Sequence, residues 1–185
     1  MVTFICRTCL IIVIILTSLM SSGLTIQAVE VDNGIYVDFP ITPKYTFDAN
    51  NSHYVAVTDN CMLFVLIHRN AIPDYGKYFI ASQKWSEIER KNVSEAFLDS
   101  VIKGRMHFVN GVNNAKQIML GPYYGRKMIY SAINPVTGVR GKRISQFYLI
   151  KDKIVSFDCW IIEDNLAAYK EMNLFYGSIR NYKGN

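Results

Sequence analysis

The chain has 185 residues, half of them hydrophobic and 13% aromatic, with 12 Tyr and 10 Phe. That composition excludes disorder and favours strands, and the length supports one domain that buries a core without metals or many disulfides. Formal charge is a modest +5, compatible with an acidic protein partner or an anionic membrane surface and explained equally by simple solubility.

In chain order, Arg7 precedes an unbroken apolar run from Leu10 to Leu16, and small or polar residues follow through Ser21, Ser22 and Gly23 to Ala28. This is the layout of a secretory signal over residues 1–28, with cleavage expected after Ala28 and a mature domain over 29–185. A secreted or periplasmic location excludes most nucleotide-driven and nucleic-acid roles. The alternative is a retained membrane anchor, since no charge interrupts Thr8 to Val29 and about 20 apolar residues span a bilayer. Thr17, Ser18, Ser21, Ser22 and Thr25 dilute that stretch and favour the signal. Cys6 and Cys9 precede the apolar core, where a lipoprotein cysteine does not belong.

Ile35 to Phe39 reads as a strand stopped by Pro40, with Pro43 extending the turn. Strands are expected at Lys44–Phe47, Tyr54–Val57 and Cys61–Arg69, separated by turn-rich Asp48–Ser52 and Thr58–Asn60. The third is apolar at nearly every position, so it belongs in the centre of a sheet covered on both faces. Residues 70–91 show no regular pattern. A helix is expected from Val93, with Asn92 and Glu95 resembling a capping box, and Asn110-Gly111 ends it. Strands follow at Lys116–Leu120, Arg126–Ile133, Arg143–Ile150 and Ile154–Ile162, the last two joined about Lys151-Asp152-Lys153. A closing helix from Asp164 or Asn165 to about Arg180 carries the stripe Ala168, Met172, Phe175 and Ile179. Hairpin-linked strands with interspersed helices predict an α+β fold: an αβα sandwich whose mainly antiparallel sheet is covered by helices.

Four segments carry a family resemblance. They are Val37-Asp38-Phe39-Pro40 with Pro43, the turn Gly121-Pro122-Tyr123-Tyr124-Gly125-Arg126, the Tyr148 to Val155 hairpin, and the closing Leu174-Phe175-Tyr176-Gly177-Ser178-Ile179-Arg180. In order and spacing the chain resembles the PsbP-like fold superfamily. That group includes the extrinsic PsbP subunit of photosystem II, a Ran-binding nuclear-import factor and many exported bacterial proteins. Gly177 and Ile179 depart from the family pattern, which prefers polar and aromatic residues there. The resemblance implies an αβα sandwich that works by docking to partners and shares no catalytic centre, so it carries no functional residue over to this chain.

The residues give few signs of catalysis. No Gly-x-Ser-x-Gly elbow or His-Glu-x-x-His motif occurs, and His53, His68 and His107 read as surface or half-buried side chains. Asp48, Asn50 and Asn51 could hold a cation, but turn formation explains them. Asp158 and Glu163 are the nearest approach to a carboxylate pair, and Asp158 reads better as a strand acid balanced by a base. Gly138-Val139-Arg140-Gly141-Lys142-Arg143 lacks Walker spacing and leads into a strand, not a helix. No catalytic residue, metal ligand or cofactor is assigned. Asn50 and Asn92 each begin a glycosylation sequon.

Two features point outward. Arg126, Lys127, Arg140, Lys142, Arg143, Lys151 and Lys153 crowd one segment against the single acid Asp152. Either they are solvated edges and turns, or they form a partner-binding patch together with Tyr123 and Tyr124. Tyr130, and Tyr169 with Tyr176 and Tyr182, are further interface candidates or core rims. Cys61 and Cys159 remain after signal removal, either as a disulfide or as two reduced core thiols. The leading expectation is an exported, non-catalytic domain that docks a protein or envelope partner. One alternative is a small-ligand or lipid-binding domain with a pocket between the sheet and the 93–108 helix. The other is a hydrolase whose site is dispersed in sequence, for which a buried His or carboxylate paired with Ser145, Ser156 or Ser178 would be the sign.

Overall fold

The computed structural model describes residues 26–106, 112–135 and 137–182. Residues 1–25 with Cys6 and Cys9, His107 and the Asn110-Gly111 turn lie outside the described residues.

A small sheet is built from β1 (Gln27–Asp32), β2 (Ile35–Phe39) and β10 (Arg180–Asn181), in the order β1-β2-β10. The main sheet has seven strands: β3 (Lys44–Phe47), β4 (Asn51–Val57), β5 (Cys61–His68), β6 (Val112–Leu120), β7 (Tyr123–Ile133), β8 (Arg140–Ile150) and β9 (Lys153–Ile161). Their spatial order is β3-β4-β5-β9-β8-β7-β6, and each described pairing is antiparallel. Helices α1 (Tyr75–Ser82) and α2 (Glu87–Met106) lie between β5 and β6, and α3 (Leu166–Gly177) follows β9. The expected α+β architecture is present.

Two cores flank the main sheet because β5, β8 and β9 are apolar on both sides of the pleat. On one face, Leu63, Val65, Phe157 and Ile144 pack against Ala168 and Phe175 of α3 and against Val37 and Phe39 of the small sheet. Phe175 sits 5.5 Å from Phe39 and 6.3 Å from Phe157, ring centre to ring centre. On the other face, Met128, Phe147, Leu149 and Ile154 pack against Leu98 and Ile102 of α2. We call these the α3 face and the α2 face. Coverage of β5 is uneven: Phe64 and Leu66, on the α2 face, stay only half-buried, because α2 lies over β7 and β8.

Several boundaries differ from the sequence reading. The unpatterned stretch 70–91 holds α1 and the first turn of α2, whose charged residues 87–91 are exposed. The capping box is Ser86 with Glu89, not Asn92 with Glu95. Glu89 N donates to Ser86 Oγ at 3.2 Å, and Ser86 N donates back to Glu89 Oε2 at 2.7 Å. Strands β1 and β10 were not anticipated. The two-residue β10 is fixed by pairing with β2 and by the Arg180–Asp38 ion pair at 2.8 Å.

Two glycines are required. Gly121 takes φ +56° in the turn between β6 and β7. Gly125 lies beneath the ring of Tyr148, its partner on β8, where an added Cβ would stand 2.5 Å from the ring.

Candidate functional site

Strands β6, β7 and β8 contain no Asp or Glu. They carry six bases, and strand geometry divides them. Neighbours along a strand point to opposite faces, so Arg126 and Lys127, or Lys142 and Arg143, cannot share a surface.

Arg126 and Arg143 turn to the α2 face and are neutralised there. Arg126 is 4% exposed and bonds Asp99 of α2 at 2.7 Å, with Glu95 at 3.8 Å. Arg143 bonds the fully buried Asp158 at 2.8 Å and lies 3.6 Å over the Trp160 ring. Neither guanidinium is presented to a partner. Lys153 is likewise held by Asp32 at 2.8 Å, and Lys151 occupies the β8–β9 turn.

The other bases converge on the α3 face. Lys116 pairs in register with Lys127, Ser131 with Lys142 and Ile133 with Arg140, which sets four cations beside the exposed Ile129 and Ile133. Helix α3 borders this surface through two tyrosines. Lys127 Nζ lies 6.0 Å from the Tyr176 ring centre, and Lys142 Nζ lies 5.1 Å from that of Tyr169 and 3.3 Å from its hydroxyl. Tyr176 donates to the Ile144 carbonyl at 2.7 Å, and burial holds its phenol well above the usual value. Lys116 stands ten residues before the basic run, and only the register of β6 on β7 brings it to that run.

Asp158 anchors a second cluster on the α2 face. Ser145 Oγ donates to Asp158 Oδ1, Ser156 Oγ donates to Oδ2 at 3.2 Å, and Tyr130 shares a hydrogen bond with Ser145 at 3.1 Å. This is the buried carboxylate–serine pairing that the hydrolase alternative looked for. Its chemistry is poor for that purpose. Nucleophilic activation needs a base able to accept the hydroxyl proton, whereas this carboxylate is clamped by Arg143 and already accepts from two serines. His68 instead bonds Asn51 at 2.8 Å, and His53 stacks on Phe64. Glu163 is exposed and bonds Asn165.

A cleft of about 290 Å³ opens between α2 and the sheet, lined by Leu66, His68, Ala71, Phe97, Val101, Phe147, Ile154 and Ser156. It occupies the place expected for an apolar pocket. Tyr123 packs against the α3-face core and Tyr124 against the α2-face core; both stand at the start of β7 and also line a different cleft, between α1 and the β6–β7 turn.

Cys61 and Cys159 lie on adjacent strands and both face α3, at diagonal positions, with Cys61 opposite Ile161 and Cys159 opposite Leu63. In the structure both are free thiols, the second of the two states that the sequence left open. Cys61 Sγ donates to the Ala168 carbonyl at 3.4 Å, and the hydrogen bond that the Cys159 thiol makes to Cys61, together with burial, holds that thiol far above its usual value. Asp48 is a turn residue: its Oδ1 accepts from the backbone of Asn50 and Asn51 at 2.8 Å each, which lowers its carboxyl. Among the described residues no group of three or more His, Cys, Asp or Glu could hold a metal, and no helix is long and apolar enough to cross a membrane.

No family model matches the chain, and no curated protein sequence matches it. Solved structures similar to it include the PsbP protein CyanoP of Synechocystis, at 14% identity and TM-score 0.48 over 88% of this chain and 96% of that one. LpqN of Mycobacterium tuberculosis, described as involved in cell envelope biogenesis, is similar at 12% identity and TM-score 0.44, over 84% of this chain and 91% of that one. A Pseudomonas aeruginosa protein of unknown function is similar at 9% identity and TM-score 0.39, over 80% and 90% respectively. One of the three is a PsbP, the family that the four sequence segments resemble; at these scores the likeness carries no argument about this chain.

Proposed function

We propose that this chain is an exported, non-catalytic accessory domain that docks an acidic protein partner on the open α3 face of β6–β8. The supporting observation is the convergence of Lys116, Lys127, Arg140 and Lys142 on one face of three strands that hold no carboxylate. Unopposed cations beside exposed Ile129 and Ile133 suit an acidic surface with an apolar centre. They would act chiefly by steering association and rejecting basic partners. The Arg-clamped carboxylate of the Asp158 cluster supports the non-catalytic reading.

The test is crosslinked capture from the exported fraction by the wild type and by the triple variant Lys127→Glu, Arg140→Glu, Lys142→Glu, across a salt series. The expected result is loss of one acidic partner, with the wild-type association fastest at low salt, where screening is weakest. Capture that is unchanged by the reversal at every salt concentration would overturn the proposal. Arg143→Glu is the contrast, since it is expected to unfold the domain by placing two carboxylates in one buried site.

A second reading rests on the 290 Å³ cleft beneath α2, whose lining is mainly apolar. A single acyl chain or a small apolar ligand suits such a lining. Val101→Trp, which fills the mouth, is expected to abolish uptake of a fluorescent fatty acid; uptake that survives removes this reading.

A further inference from the structure

The cleft that takes Tyr123 and Tyr124 is independent of both surfaces above. It measures about 250 Å³ and lies where α1, the start of α2, the β6–β7 turn and the β8–β9 turn meet. Tyr75 and Tyr78 of α1 form one wall, stacked 5.9 Å apart at 25°, and Tyr78 is braced edge-on by Trp85 at 5.4 Å. Tyr123 and Tyr124 form part of the lining, and the nearly buried Leu149 lines it as well. Arg90 and Lys151 complete the rim, and no acidic side chain lines the space.

The chemistry of this lining is specific. No hydrogen bond within the described residues engages the four phenol oxygens, and neither rim cation is in an ion pair there. Phenol rings offer flat apolar faces together with a hydroxyl that donates and accepts. Burial and then the nearby Asp152 carboxylate raise the Tyr75 phenol, which keeps its proton. Lys151 is held at the rim by a left-handed turn backbone, φ +57°. Flat faces suit the C–H side of a pyranose, the phenols suit its hydroxyls, and the two cations suit an oxyanion. The volume admits one ring with its charged substituent.

We infer that this cleft binds a monosaccharide unit carrying a carboxylate or phosphate. An acyl chain would leave the phenols and cations without partners. A neutral sugar would leave the cations unused, and an aromatic acid would leave most of the phenols unused.

The test is titration of the purified full chain, followed by its tyrosine and tryptophan fluorescence and by amide chemical shifts. The probes are glucuronate, glucose 6-phosphate, glucose, benzoate and inorganic phosphate. Saturable binding of the two charged sugars is expected, about tenfold or more tighter than glucose, benzoate or phosphate, since each charge-assisted bond is worth about that factor. Arg90→Gln with Lys151→Gln, both at exposed positions, should weaken the charged sugars about tenfold and leave the circular dichroism unchanged. Asp152→Asn should tighten them. Equal binding of glucose or benzoate, phosphate binding as tight as the sugar phosphate, or indifference to the double substitution in a folded protein would each overturn the assignment. So would the absence of saturation below about 10 mM.

Discussion

Asp158 is the residue whose environment constrains the fold most. It is fully buried, accepts from Ser145 and Ser156, and neutralises an Arg143 that is itself sandwiched against Trp160. Breaking such a pair leaves an uncompensated charge in the interior, so Asp158→Asn is expected to cost about 3–5 kcal/mol in denaturant unfolding. Replacing both partners, with Arg143→Met added, should recover much of that loss. A double variant as unstable as the sum of the singles would show that the two side chains do not act as a pair. The thiols make a second residue-scale prediction. Cys61 and Cys159 are both inaccessible, and the Cys159 thiol is pushed far above its ordinary value, so neither should react with a maleimide in the native protein. Both should be labelled once the chain is unfolded without reductant, as read by peptide mapping. Labelling that appears only after reduction would establish a bridge instead.

At the scale of elements, the two long-range helices are held by different caps. Asn165 accepts from the Ala168 amide at 2.8 Å and starts α3, so Asn165→Ala is expected to cost about 1 kcal/mol. The start of α2 depends instead on Glu89, whose carboxyl is lowered by hydrogen bonds from the Ser86 backbone and then its hydroxyl. A carboxyl depressed in the folded state contributes above its unfolded value and loses that contribution as pH falls through the folded one. The first turn of α2 should therefore fray under acid, with faster exchange of the Ser86 amide, and Glu89→Ala should remove that pH dependence. These elements also show what the sequence could reveal. The α3 stripe was plain because Ala168, Met172 and Phe175 recur at helical spacing and all pack against the core. β5, β8 and β9 were plain because they are apolar on both sides of the pleat, although Phe64 and Leu66 on the α2 side of β5 are only half-buried. The first turn of α2 was hidden because charged residues 87–91 bury nothing, although Ser86 and Glu89 stand at capping-box spacing. The basic face is not legible from the count of bases along the chain, because the pleat sends Arg126 and Arg143 inward to Asp99 and Asp158. Lys116 and the Tyr75–Tyr124 cleft come together only through long-range packing.

For the whole molecule, the expected processing site can be set against the strand that contains it. Cleavage after Ala28 would trim two residues from β1 and leave Val29 opposite Val37, Glu30 opposite Tyr36 and Asp32 opposite Ile35. A mature N-terminus near Val29 is therefore compatible with a closed small sheet, and intact-mass measurement of the exported protein checks it. Recovery of the full-length mass from a membrane pellet would favour the anchor. Gly125 sets a condition of another kind. The Tyr148 ring occupies the volume that any side chain at position 125 would need, and the Phe147 carbonyl crowds it from the backbone. A side chain at 125 is therefore excluded twice over: Tyr148→Ala would remove the ring but leave the Phe147 carbonyl 2.6 Å from the added carbon, so Gly125→Ala should destabilise the domain even in that background.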